Sequence, residues 1–90
     1  MKVIKVGAVW CNACLVMKPR WQEIESELPW LETEYYDYDQ DKEKIEEHKI
    51  KTERLPVFIF LDKEEEEFAR RFGEISKEEL IQFCQEHKDS

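Results

Sequence analysis

The sequence predicts a single α/β domain over residues 1–90, built on a four-stranded mixed sheet with helices on both faces and elements in the order βαβαββα. Three observations lead there. A β-branched run at residues 2–9 passes directly into a helical pattern, residues 55–61 (Leu-Pro-Val-Phe-Ile-Phe-Leu) are the most hydrophobic stretch, and a helix-start signal stands at Ser76 near the C-terminus. A strand-helix-strand opening requires a parallel crossover, whereas two later strands joined by a short turn pair antiparallel. The sheet is therefore mixed.

Taken in order, Lys-Val-Ile-Lys-Val-Gly-Ala-Val suits a strand buried on both faces. Cys14, Met17, Trp21, Ile24 and Leu28 then recur at steps of three and four, which places one apolar stripe on a helix that stops before Pro29. Pro19 falls inside it and removes one backbone hydrogen bond, so the helix should bend there. Residues 31–39 combine Glu32 and Glu34 with Tyr35, Tyr36 and Tyr38, and read as an edge strand whose charges discourage further pairing. Residues 40–49 have only Ile45 and His48 to turn inward and predict a weakly amphipathic helix.

The run at 55–61 is a second central strand, with its proline at the start, where a missing N–H donor is tolerated. Residues 62–67 form a turn without glycine, its four glutamates a solvated tip, and 68–72 return as a strand. In the last helix Ser76 and Glu79 make a capping box, Ile75 and Leu80 occupy the staple positions, and Leu80, Phe83, Cys84 and His87 share one face.

Charged residues are 40% of the chain and the formal net charge is -8, which disfavours phosphate backbones and acidic membranes as partners. A chain with 12% aromatic residues and separated apolar runs nevertheless has a core to build. Three cysteines are too few for a disulfide framework and leave one unpaired in any intramolecular pairing, which points to a reducing compartment. Residues 1–9 are too short for a signal peptide and no apolar run is long enough to cross a bilayer, so the expectation is a cytoplasmic, soluble protein.

The chemistry-bearing motif is Trp10-Cys11-Asn12-Ala13-Cys14, at a strand-to-helix junction. Two cysteines three apart at a helix start can close a small ring, and the first lies over unpaired N–H groups and the positive end of the helix dipole, which stabilise a thiolate. Cys11 is thus the expected nucleophile, and Cys14, one turn deeper, the resolving thiol. Asn12 is a good residue at a helix start. Such a pair also serves as half of a zinc site, but His48, Cys84 and His87 form no second knuckle, so no metal is expected. Cys84 reads as a small apolar core residue, and both histidines as partly buried helix residues.

With these residues in place the sequence resembles the thioredoxin family over nearly its whole length. Trp10-Cys11 and Cys14 resemble the family's W-C-x-x-C, Pro19 the proline of its active-site helix, Leu55-Pro56 its cis-proline, and the stretch from Gly73 to Leu80 its glycine, short loop and final capped helix. The resemblance implies a protein-disulfide reductase with no cofactor beyond the redox-active Cys11–Cys14 disulfide. It further implies that Pro56 is cis and packed on the pair, that Leu55 offers backbone groups to an extended client, and that Trp10, Asn12, Ala13, Leu55, Pro56 and Gly73 line the client groove. Implied partners are client proteins with disulfides and a thioredoxin-reductase-like electron donor; the charges on the edge strand at 31–39 favour a monomer over a dimer paired through it.

The sequence departs from the family in three places. Residues 2–9 resemble the family's second strand, so its usual first strand and helix are missing and residues 31–39 become an edge. Asn12-Ala13 replaces the common Gly-Pro between the cysteines. Lys5 stands six residues before Cys11, where the family carries a buried carboxylate; it either sits beneath the pair and favours the thiolate, or snorkels to the surface. Two other functions stay open: a glutaredoxin-like protein recharged by glutathione, and a binding or redox-sensing module without turnover.

Overall fold

The computed structural model of the chain describes residues 1–50 and 55–89. Its elements are β1 (Lys2–Gly7), α1 (Asn12–Glu27), β2 (Glu32–Asp37), α2 (Lys42–Glu47), β3 (Val57–Leu61), β4 (Glu67–Phe72) and α3 (Lys77–Glu86). The order is the expected βαβαββα, and the sheet runs β2-β1-β3-β4, with β1 parallel to β2 and antiparallel to β3, and β4 antiparallel to β3.

Side-chain alternation along β1 divides the core. Val3 faces the layer that holds Met17, Trp21, Ile24 and Leu28 of α1, Phe58 and Phe60 of β3, and Leu80 and Cys84 of α3. Ile4 and Val6 face the opposite layer, closed by Ile45, Ile50, Val57, Ile59 and Leu61. From Met17 onward the predicted α1 stripe is thus buried, Cys14 at its start being only partly so, and β3 is buried at every position. Helices cover both faces, α1 and α3 one and α2 the other.

Helix boundaries follow from their caps. α1 begins at Asn12 because Cys11 is its N-cap, earlier than the apolar stripe alone suggested. It ends at Glu27, and the C-cap Leu28 has left the helical region (φ -119°, ψ 74°) ahead of Pro29, where a helical conformation is disfavoured. Pro19 lies inside α1, on its exposed side. At α3 the Ser76 hydroxyl accepts the Glu79 N–H at 3.2 Å, the expected half of the capping box.

α2 is shorter than residues 40–49. Lys49 adopts a left-handed conformation (φ 54°), its N–H bonds the Glu46 carbonyl and the Ile50 N–H bonds the Ile45 carbonyl, a Schellman closure in which lysine holds the place usual for glycine. Lys49→Gly is therefore expected to raise stability by about 0.5–1 kcal/mol, measured by urea unfolding, because a Cβ is disfavoured at that φ.

The glycine-free turn before β4 works similarly. The Asp62 carboxylate accepts the N–H groups of Glu64 and Glu66, and Glu65 takes the left-handed position. β4 begins one residue earlier than expected because the register slips between Phe60 and Leu61, leaving Phe68 as an extra residue. That bulge directs Phe68 onto Phe60, Phe83 and His87 on the α3 side.

Candidate functional site

The site forms where β1 hands the chain to α1. The Cys11 N–H closes a turn onto the Ala8 carbonyl at 3.1 Å, and as N-cap the Cys11 Sγ accepts the Cys14 N–H at 3.3 Å. A backbone donor of the first helical turn is thereby aimed at the sulfur. All three cysteines are free thiols in the structure.

Cys14 is not the deeper of the two, contrary to the expectation from one helical turn. Cys11 is 9% exposed, whereas Cys14 is only partly covered. Gly7 lies beneath it without a side chain, which lets α1 seat closely on β1: a Cβ there would stand 3.1 Å from the Cys14 sulfur. Cys14 also borders a cleft of about 490 Å³ between α1 and the edge of the sheet, lined also by Lys5, Glu25, Tyr35 and Pro56. Partial burial and the hydrogen bond to Cys11 push the Cys14 thiol up to about 12, with a backbone hydrogen bond from Ala8 pulling the other way.

Lys5 lines the same cleft, but its ammonium is neither free beneath the thiols nor at the surface. Its side chain is 18% exposed and its Nζ lies 2.6 Å from Glu25 Oε2. The ammonium thus enters the cleft as one half of an ion pair with α1. Glu25 was not anticipated, although the helical spacing of Cys14, Lys18, Gln22 and Glu25 places a second, polar face on α1 over the sheet edge.

Of the remaining predicted site residues, Trp10, Leu55, Pro56 and Gly73 lie on connecting segments, and Asn12 and Ala13 open α1. The Leu55–Pro56 peptide is cis, and the Pro56 carbonyl accepts the Gly73 N–H at 2.9 Å, so these segments meet. Gly73 needs to be glycine for its φ of 78°, since a Cβ would meet nothing within 4 Å. Trp10 is 54% exposed and held by a 2.7 Å bond from its indole N–H to Asp39 and by edge contact with Tyr38, apart from the Cys14 cleft. Asp39 is a second residue the sequence reading missed. Asn12 is exposed and Ala13 partly so.

Cys84 is fully buried, as expected, and burial pushes its thiol up to about 11 from 9.0. The unfolded thiol ionises first as pH rises, so the stability this group contributes is complete below about pH 9 and is lost as pH climbs towards 11. Reduced Cys84→Ala is expected to show a shallower loss of stability over that window in denaturant titrations. His48 caps α2 and stacks on Tyr36, and His87 caps α3 against Phe83. Among the described residues no three His, Cys, Asp or Glu side chains are grouped to hold a metal ion.

Fold and site together define a thiol-disulfide oxidoreductase class: a Cys-x-x-Cys pair at the N-terminus of a helix, opposite a cis-proline, on a four-stranded mixed sheet. The family model Thioredoxin matches residues 1–86, and the chain belongs to the thioredoxin family. Among solved structures it is similar to thioredoxin 1 of the thermophilic eubacterium Thermosipho africanus TCF52B (25% identity, 99% of this chain and 96% of that one, TM-score 0.83). It is also similar to Fasciola hepatica thioredoxin (26% identity, 96% and 79%, TM-score 0.84) and to thioredoxin-2 of a malaria parasite (23% identity, 96% and 82%, TM-score 0.87). No curated protein sequence matched the chain.

Proposed function

We propose that the protein reduces disulfides of client proteins by dithiol-disulfide exchange, with Cys11 attacking and Cys14 resolving. The observation that carries this is the Cys14 N–H directed at the Cys11 sulfur from the first turn of α1, at 3.3 Å. A thiolate at Cys11 attacks a client disulfide; the mixed disulfide is then displaced by Cys14, and the client leaves with two thiols. The pair itself carries the two electrons.

Client binding is assigned to the surface around the pair. Val9 and Leu15, 77% and 57% exposed, line the Cys14 cleft, and Trp10, 54% exposed, directly precedes Cys11, so apolar side chains are presented on either side of the pair. Leu55, ahead of the cis bond, would pair its backbone with an extended client segment; Pro56 and Gly73 would form the groove floor, and Asn12 and Ala13 its margin. The acidic surface suits a basic partner protein, and the three free thiols suit a reducing compartment such as the cytoplasm. Among the described residues no helix is long and apolar enough to cross a membrane.

Turnover of an insulin-like disulfide substrate tests the reading, with a thioredoxin reductase and glutathione supplied as alternative electron donors. Turnover with the reductase supports it. Turnover with glutathione alone would make the protein glutaredoxin-like, and a redox-dependent change in partner affinity without turnover would make it a sensing module.

A further inference from the structure

Gly7, Cys14 and Tyr35 converge on one point. A Cβ added at Gly7 would stand 3.1 Å from the Cys14 sulfur and 3.2 Å from the Tyr35 hydroxyl, so the missing side chain is the space across which sulfur and hydroxyl face each other. Tyr35 pairs in register with Lys5, two residues before Gly7 on the same face, and its ring reaches along the strand by that distance, about 7 Å. The phenol thereby arrives at the open side of Cys14 from the edge of the sheet.

The other charged groups of this cleft are engaged or lack the right geometry. From β1, Lys5 is paired with Glu25 of α1 at 2.6 Å. From β2, Asp37 Oδ1 accepts the N–H groups of Asp39 and Gln40, and Asp41, in the turn beyond, accepts the Asp37 N–H. Lys18 of α1 lines the cleft but is exposed to solvent. Cys11 already receives the Cys14 N–H. The Tyr35 hydroxyl, by contrast, has no hydrogen-bond partner among the described residues, and its phenol is held above its usual range by burial and by the acidic groups and thiols around it.

We propose that the Tyr35 hydroxyl donates a hydrogen bond to the Cys14 sulfur as it becomes a thiolate, and so speeds resolution of the mixed disulfide; this rests on the dithiol exchange proposed above. In that step the Cys14 thiol loses its proton to water in the cleft, and the thiolate held by Tyr35 attacks Cys11 Sγ. The Cys11–Cys14 bond forms, the bond from Cys11 to the client sulfur breaks, and the client sulfur leaves with the electron pair and takes a proton from solvent. The cysteine pair is oxidised by two electrons and the client disulfide is reduced by two.

An aromatic disulfide that releases a coloured thiolate separates the two half-reactions in stopped flow: a first release as Cys11 attacks, a second as Cys14 displaces. In Tyr35→Phe, which keeps the ring, the second release is expected to slow about tenfold at neutral pH, the worth of one hydrogen bond to an ion in a partly solvated site. Its pH profile should move to higher pH, while the first release is unchanged. Tyr36→Phe, which removes a hydroxyl bonded to Glu34 instead, should leave both releases unaltered. A second-release profile in Tyr35→Phe that overlays wild type would overturn the proposal alone. A wild type that shows only the first release would overturn it together with the resolving role of Cys14.

Discussion

Cys11→Ser is expected to abolish disulfide reduction, lowering turnover by at least about a thousandfold, because a serine hydroxyl at neutral pH supplies no comparable nucleophile. Cys14→Ser should fail differently. Its Cys11 still attacks, but nothing displaces the client, so covalent client adducts on Cys11 accumulate and appear on a non-reducing gel. The difference follows from the geometry: Cys11 is the cap that receives the N–H of α1, and Cys14 is the residue one turn on whose sulfur faces the cleft. Equal activity of Cys11→Ser and wild type, or client adducts on Cys14 in Cys11→Ser with none on Cys11 in Cys14→Ser, would reverse the assigned roles.

Phe60→Ala is expected to be the most damaging substitution outside the site. Phe60 is fully buried near the end of β3, with its ring centroid 4.6 Å from that of Phe83 and 6.4 Å from that of Phe68. Truncation leaves a cavity between sheet and α3 that the bulged β4 cannot close, at a cost of about 3–5 kcal/mol. For a domain of this size that corresponds to a fall in melting temperature of roughly 15–25 °C, a large share of total stability. Calorimetry of the reduced protein gives the number, and a fall of only a few degrees would show that the Phe60 layer relaxes to fill the gap.

What could be read in the sequence divides along physical lines. Strand and helix order was legible because burial writes a local period: the β-branched run of β1, the three-and-four spacing of Met17, Trp21 and Ile24, and the uninterrupted apolar run of β3 need no tertiary knowledge. The cysteine pair and the α3 cap were legible for the same reason, since their partners lie within four residues.

Features that depend on elements meeting were not. The Lys5–Glu25 pair spans 20 residues and exists only because α1 crosses over β1, and the bond from Trp10 to Asp39 spans 29. The close seat of Cys14 on β1 depends on a glycine in that strand, and Tyr35 reads in sequence as one of three aromatic residues on an edge. Gly7 did leave a trace: it is one of only two glycines in the chain, and both stand against the site. Where glycine is usual but absent, at the end of α2 and in the β3–β4 turn, Lys49 and Glu65 take up the left-handed conformation themselves.

The measurement closest to the central claim is a redox equilibrium titration of the purified protein, with peptide mapping of the bond that forms. A single two-electron transition joining Cys11 to Cys14, with Cys84 a free thiol throughout, is the predicted result; a potential near roughly -270 mV would mark a reductant, and one near about -120 mV an oxidant. No transition under any buffer poise, or a bond that enlists Cys84, would contradict it.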